Sequence, residues 1–330
     1  MAEIVVGIAA SHTPQLSSGV DMWDDHGERD RTKNKLLGHD GEWVEYEDLL
    51  ASADPAIAAQ LTPQVWEEKY ARAQRGIDTL VATLAEAQPD VALVIGDDQW
   101  ELFRDEGVPT FGFFHGDQLW DEPRSGEDAA KMAEGVRRAQ WAAHGEARAT
   151  HSVDAALSRH LTGVLCENGF DIFCFSAQND RRSLGHAFTF PRYRLGLPAT
   201  TPIVPVFINT YFPPNNPTAE RCFRLGQVIR QAIESWEPGL RVAVITSGGL
   251  SHFVVDEELD HQVLDGLLAS DFESFGDLPR TKMRSGNSEI LNWVTAAGVL
   301  EKHSATVVDY VPGYRTPAGT GTGMAFAYWK

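Results

Sequence analysis

Two histidines set out the chemistry this chain could do. Ile4-Val5-Val6-Gly7-Ile8-Ala9-Ala10 passes straight into Ser11-His12-Thr13-Pro14, and Val242–Ile245 passes through Thr246-Ser247-Gly248-Gly249-Leu250 into Ser251-His252. Short β-branched runs of this kind read as strands buried on both faces. In an open α/β sheet, ligands bind just beyond the carboxyl ends of the strands. A histidine delivered there, on a turn that adjacent glycines let approach a ligand closely, is a candidate metal ligand or acid–base group. A third apolar run, Val91–Ile95, ends in the polar turn Gly96-Asp97-Asp98-Gln99, and another histidine, His186, follows Gly185. Glu289 opens a helix-like stretch at Ser285–Trp293, where a carboxylate serves either as a partner of the helix dipole or as a ligand. Two histidines, a carboxylate and open positions form the donor set of non-haem Fe(II) oxygenases, and histidines outside it would move protons. The four residues span nearly the whole chain, so spacing alone also allows unconnected structural side chains.

Composition bounds the setting. The chain has 330 residues, 43% hydrophobic and 23% charged, ample for a sizeable core. Its net charge of -19 argues against nucleic acid or an anionic membrane as a partner, since both need a basic footprint. A small anionic substrate needs only local positive charge. Cys166, Cys174 and Cys222 lack metal-type spacing, and Cys166 and Cys174 lie in apolar runs, which reads as buried free thiols in a reducing compartment. The N-terminus shows neither a basic leader nor an apolar run long enough for a membrane span, so the cytoplasm is the expected location.

The elements that must position these groups follow the same logic. Phe111–Phe114, Phe170–Ser176 and Ile203–Ile208 read as further strands. Residues 63–87, 154–168, 220–235 and 256–268 read as helices from their apolar spacing and capping signals. Residues 121–150 read as a surface loop or exposed helix, and residues 21–75, polar and rich in Trp and Tyr, as a helical insertion. The Gly/Thr-rich stretch Tyr314–Met324 reads as a loop able to bring backbone N–H groups to an anion. The fold class expected is one α/β domain over residues 1–330, with a mixed central sheet and helices on both faces.

Five segments, in order, carry a resemblance to a known family. Ser11-His12-Thr13-Pro14, Gly185-His186, Arg221-Cys222-Phe223-Arg224-Leu225-Gly226, Ser247-Gly248-Gly249-Leu250-Ser251-His252, and Ser285-Gly286-Asn287-Ser288-Glu289 with Asn292-Trp293 resemble the class III, LigB-type extradiol ring-cleaving dioxygenases. These include the protocatechuate 4,5-dioxygenase and gallate-type enzymes. The resemblance implies an aromatic ring-opening dioxygenase that uses Fe(II) and O2 on a catecholic acid such as gallate, protocatechuate or 3-O-methylgallate. His12 and Glu289 would bind the metal, His252 would deprotonate the substrate, and His186 would stand beside substrate or oxygen. Where the family has a second metal histidine in an Asn-Asp-His segment, this chain has Asp97-Asp98-Gln99. Gln99 would then ligate through its carbonyl, as in a subgroup that resembles 3-O-methylgallate dioxygenases; Asp98 or His115 are the other candidates for a third ligand.

Arg315 and Thr320 in the terminal loop are the candidates for a substrate carboxylate. The expected partners are a small aromatic diol and O2, in a homo-oligomer such as a dimer whose 21–75 segment covers the site or builds the oligomer interface. Two alternatives remain. One is a dioxygenase for a dihydroxypyridine or a catecholic amine. The other is a Memo-like binding protein with a degenerate metal site, which Gln99 keeps open.

Overall fold

The computed structural model describes residues 1–104, 106–271 and 273–330. Strand β1 (Glu3–Ala10) is buried over its last five residues, as the apolar run requires. Helices α1 (Pro14–Ser17) and α2 (Trp23–Arg31) follow, then the short hairpin of β2 (Leu36–Leu37) with β3 (Trp43–Val44), and α3 (Tyr46–Ser52). Helix α4 (Pro63–Ala87) starts on Pro63 with Thr62 capping Val65, and it buries Ala73, Ile77, Leu80 and Leu84 on one stripe. That helix runs unbroken through residue 75. The helical elaboration therefore ends near residue 62, and it contains a small hairpin.

Strand β4 (Val91–Asp97) is buried throughout. Strand β5 (Phe111–Phe114) follows, and then the hairpin of β6 (Gln118–Asp121) with β7 (Ala149–Ser152), which brackets α5 (Gly126–Ala130) and α6 (Glu134–His144). Residues 121–150 are thus structured, and α6 buries Gly135, Ala139, Ala142 and His144. Next come α7 (Ala155–Glu167), β8 (Phe173–Phe175), α8 (His186–Tyr193) and β9 (Ile203–Ile208). Cys166 and Cys174 prove exposed, and only Cys222 is buried. Helix α7 turns Leu157, Leu161 and Leu165 inward, which leaves Cys166 outside, and Cys174 sits on the edge strand β8.

The C-terminal part contributes α9 (Ala219–Ser235), β10 (Arg241–Ser247), β11 (His252–Val254), α10 (Glu257–Ala269), α11 (Ile290–Val299), β12 (Ala305–Tyr314) and β13 (Thr320–Trp329). The sheet runs β11–β13–β1–β10–β4–β9–β5–β8, with β12 paired to β13. Strands β1, β10, β4 and β9 are parallel, while β13 is antiparallel to β1 and β5 antiparallel to β9. Helices α7, α9, α10 and α11 cover one face and α4 and α8 the other, each over its own apolar cluster. The architecture is the single mixed α/β sheet expected from the sequence.

The stretch from Thr320 onward corrects the loop expectation: it is a strand inside the sheet, buried at nearly every residue. Its glycines are packing positions. A Cβ on Gly323 would lie 1.9 Å from Asp260 Oδ2, so only a bare backbone fits there. Among the described residues no helix is long and apolar enough to cross a membrane.

Candidate active site

Register brings the site together. Ala10 pairs with Ser247, Thr246 with Ile95, and Asp97 with Ile208, so the carboxyl ends of β1, β10, β4 and β9 lie side by side. The residues just past those ends are His12, Gly249, Gln99 and Tyr211, and all four line one cavity of about 260 Å³. His186 at the start of α8, His252 at the start of β11, and Glu289 line it too.

Glu289 is the point of convergence. It ends the 3₁₀ turn Ser285–Glu289 ahead of α11 and is 1% exposed. Its Oε2 accepts from the Gly249 amide at 2.6 Å and faces His12 Nε2 at 3.0 Å. Its Oε1 accepts from Gln99 Nε2 at 2.8 Å and from Tyr211 Oη at 3.2 Å, and lies 3.1 Å from His252 Nε2. Burial pushes this carboxyl up, but His252 and His12 outweigh burial and hold it well below the usual carboxylate range. The helix-capping explanation of Glu289 therefore gives way to a carboxylate held among donors. Tyr211 was not singled out in the sequence, although it stands just beyond a strand tip like the others. Burial, with Glu289 beside it, pushes its hydroxyl well above the ordinary value.

Each histidine is oriented by a partner on its other side. His12 Nδ1 meets Ser247 Oγ at 2.9 Å, which turns Nε2 to Glu289. Burial lowers the His12 pKa against the pull of Glu289, which favours the neutral imidazole that a metal requires. His252 Nδ1 lies 2.9 Å from the Leu250 carbonyl, which can only accept; Nδ1 thus carries a hydrogen, and Nε2, facing Glu289, is the atom that can exchange a proton with the cavity. Burial alone would lower the His252 pKa, but Glu289 raises it. His186 Nδ1 sits 2.8 Å from Glu101 Oε2, and Glu101 overcomes burial to push His186 up to about 9. The His12 and His186 rings stack obliquely with centroids 4.5 Å apart.

The His252 ring is wedged against backbone. A Cβ added to Gly286 would fall 2.1 Å from His252 Cδ2. Gly286→Ala is therefore expected to displace the imidazole and lower kcat by about 100-fold or more, the scale of losing a positioned acid–base group. Steady-state kinetics with far-UV circular dichroism as the folding control checks this.

Among the described residues no group of three or more His, Cys, Asp or Glu side chains is disposed to hold a metal ion. A metal here would need a donor outside those types, and Gln99 has that chemistry. Its amide already faces Glu289, with Nε2 also 3.3 Å from Asp97 Oδ2, and an amide offers oxygen or nitrogen by a half-turn. Imidazole, carboxylate and amide oxygen together suit a divalent first-row metal. Asp98 and His115 drop out as third ligands. Asp98 accepts from the amides of Glu101, Leu102 and Phe103, and His115 Nε2 pairs with Thr162 Oγ1 at 3.1 Å.

The two residues expected to hold a substrate carboxylate fare differently. Arg315 borders the cavity but is 6% exposed and already engaged: Nη1 contacts Asp30 Oδ2 at 3.2 Å, Nε donates to Gln15 at 2.8 Å and Nη2 to Thr322 at 2.6 Å. Thr320 does not line the cavity; its hydroxyl pairs with that of Thr316 at 2.9 Å across the buried turn between β12 and β13. Thr322, two residues along the same face of β13, borders the cavity in its stead. Asp30→Ala would leave the Arg315 guanidinium buried without its anion. We expect a loss of about 3–5 kcal/mol, measured by urea denaturation.

Comparisons with known proteins fit this geometry. Residues 140–325 match the model of the catalytic LigB subunit of aromatic ring-opening dioxygenase. Gallate dioxygenase of Pseudomonas putida (strain KT2440) is 34% identical over 182 residues, which make up 51% of this chain and 51% of that protein. The match thus spans about half the length of this curated relative.

Proposed function

Because the chain belongs to the LigB family of aromatic ring-opening dioxygenases, we propose that it opens the ring of a catecholic aromatic acid beside its diol, using Fe(II) and O2. Gallate, protocatechuate and 3-O-methylgallate define the substrate class, and the likeness to a gallate dioxygenase supports it. The observation that carries this reading is the convergence of His12, His252, Gln99 and Tyr211 on the single buried carboxylate of Glu289. In this reading His12, Glu289 and Gln99 hold the metal. Bound Fe(II) supplies a Lewis-acid site for the vicinal hydroxyls and a path for electrons between ring and oxygen.

The protein groups then divide the proton work. His252 receives the ring hydroxyl proton at Nε2, since Leu250 keeps Nδ1 occupied. Glu289 stabilises the imidazolium so formed. His186, kept protonated by Glu101, is the donor that returns a proton as the ring opens. Phe190, Val136 and Ala139 line the apolar side of the cavity, where they seat the ring and displace water. The protein would act as a homodimer in the cytoplasm, with a small aromatic diol and O2 as its only other partners.

Anaerobic purification, an iron assay and oxygen uptake on gallate, protocatechuate, 3-O-methylgallate, a dihydroxypyridine and dopamine test the reading together. About one iron per chain, with uptake on the aromatic acids, is the expected result. Uptake confined to the pyridine or the amine would move the substrate class. Protein that neither holds iron nor consumes oxygen would point to a binding protein.

A further inference from the structure

Beyond the inner cavity lies a larger antechamber of about 820 Å³, and the two share Arg29, Gln99, Glu101 and Arg124 on their walls. Arg29 comes from α2 in the N-terminal elaboration, and Arg124 from the turn before α5. Both are exposed, and neither guanidinium has a hydrogen bond or an ion pair among the described residues. Arg181, also on the antechamber wall, is in the same state.

The carboxylates around this space are already matched. Glu101 faces His186 at 2.8 Å and His144 at 3.3 Å, Glu122 faces Arg148 at 3.7 Å, and Asp128 faces Lys131 at 3.9 Å. A chain of net charge -19 therefore presents unmatched positive charge at the entrance to its site. A cleft lined by one sign of charge concentrates the opposite ion and speeds its entry. A guanidinium fork pairs with a carboxylate through two parallel hydrogen bonds.

We propose that Arg29 and Arg124 form a throat that selects ring substrates by their carboxylate, the job expected of Arg315 from the sequence. This rests on the catecholic-acid reading above and adds the residues that decide which rings enter. It also gives the N-terminal elaboration a function, because Arg29 is its contribution to the site. The acid is drawn through the antechamber and seated with its carboxylate toward the two guanidinium groups and its ring in the apolar inner cavity.

Binding can be read without turnover. Calorimetry with 3,4-dimethoxybenzoate, which lacks the hydroxyls needed for reaction, and with its neutral methyl ester measures the charge preference of the purified protein. The acid should bind more tightly than the ester, and its affinity alone should fall as salt rises. Arg29→Gln and Arg124→Gln should each weaken the acid by about tenfold, as for loss of a charge-assisted hydrogen bond, and the double variant should abolish the preference. Arg280→Gln removes the same charge from an exposed site outside both chambers and should leave the preference intact. Equal binding of acid and ester, a double variant that still prefers the acid, or an equal loss in Arg280→Gln would overturn the proposal. Failure of oxygen uptake would fault ring cleavage and leave these binding results standing.

Discussion

Glu289→Gln is expected to empty the site of iron and to stop ring opening. The substitution keeps the size of the side chain but removes the anion on which His12, His252, Gln99, Tyr211 and the Gly249 amide converge. Loss of a supporting partner outside a metal's own ligands already costs about 10–100-fold in affinity. Loss of the one carboxylate among the proposed ligands should exceed that, leaving less than a tenth of an iron per chain after desalting. The histidines should respond as well. Glu289 raises the His252 pKa, so that ring should titrate lower in the variant, visible as a shift in its proton NMR resonance. Iron retained at the wild-type level in Glu289→Gln would remove this residue from the ligand set.

His252→Ala should separate catalysis from metal binding. His252 approaches the same carboxylate at 3.1 Å, but its Nδ1 hydrogen is committed to Leu250, which leaves Nε2 as a base. Truncation should therefore leave the iron content near one per chain and lower turnover by about 10²- to 10⁴-fold, the range for a positioned general base. The residual rate should climb with pH, because a substrate hydroxyl ionised in solution no longer needs the imidazole. Oxygen uptake across a pH series, with iron measured on the same samples, checks both parts. Loss of iron in this variant would make His252 a ligand, and a flat pH profile would remove it as the base.

The parts of this site that the sequence made legible are those that end a buried strand. His12 and the turn leading to His252 follow apolar runs too short and too β-branched to be helices, and the Gly248-Gly249 pair marks where backbone must come close to a ligand. Glu289 was legible as a first-turn carboxylate but not as the hub, because its partners are 37 to 277 residues away. Tyr211 was hidden by the proline-rich loop after it, and Glu101 by the acidic turn before it. Thr320–Met324, the start of β13, has the composition of a loop for a packing reason. Its glycines stand where a side chain would strike Asp260 or a neighbouring strand, so a buried central strand carries the composition of a loop. Arg315 lies in the turn between β12 and β13, and its pairing with Asp30, 285 residues away, leaves no trace in local pattern. Arg29 lies in a segment with no strand to announce it.

The most direct measurement is a crystal structure of the Fe(II)-loaded protein with anomalous difference maps recorded on both sides of the iron edge. One peak is expected, bonded to His12 Nε2, a Glu289 oxygen and the Gln99 carbonyl, with His252 close by but unbonded. A peak bonded to His252, or one that leaves Gln99 and Glu289 joined only to each other, would contradict the proposed ligand set.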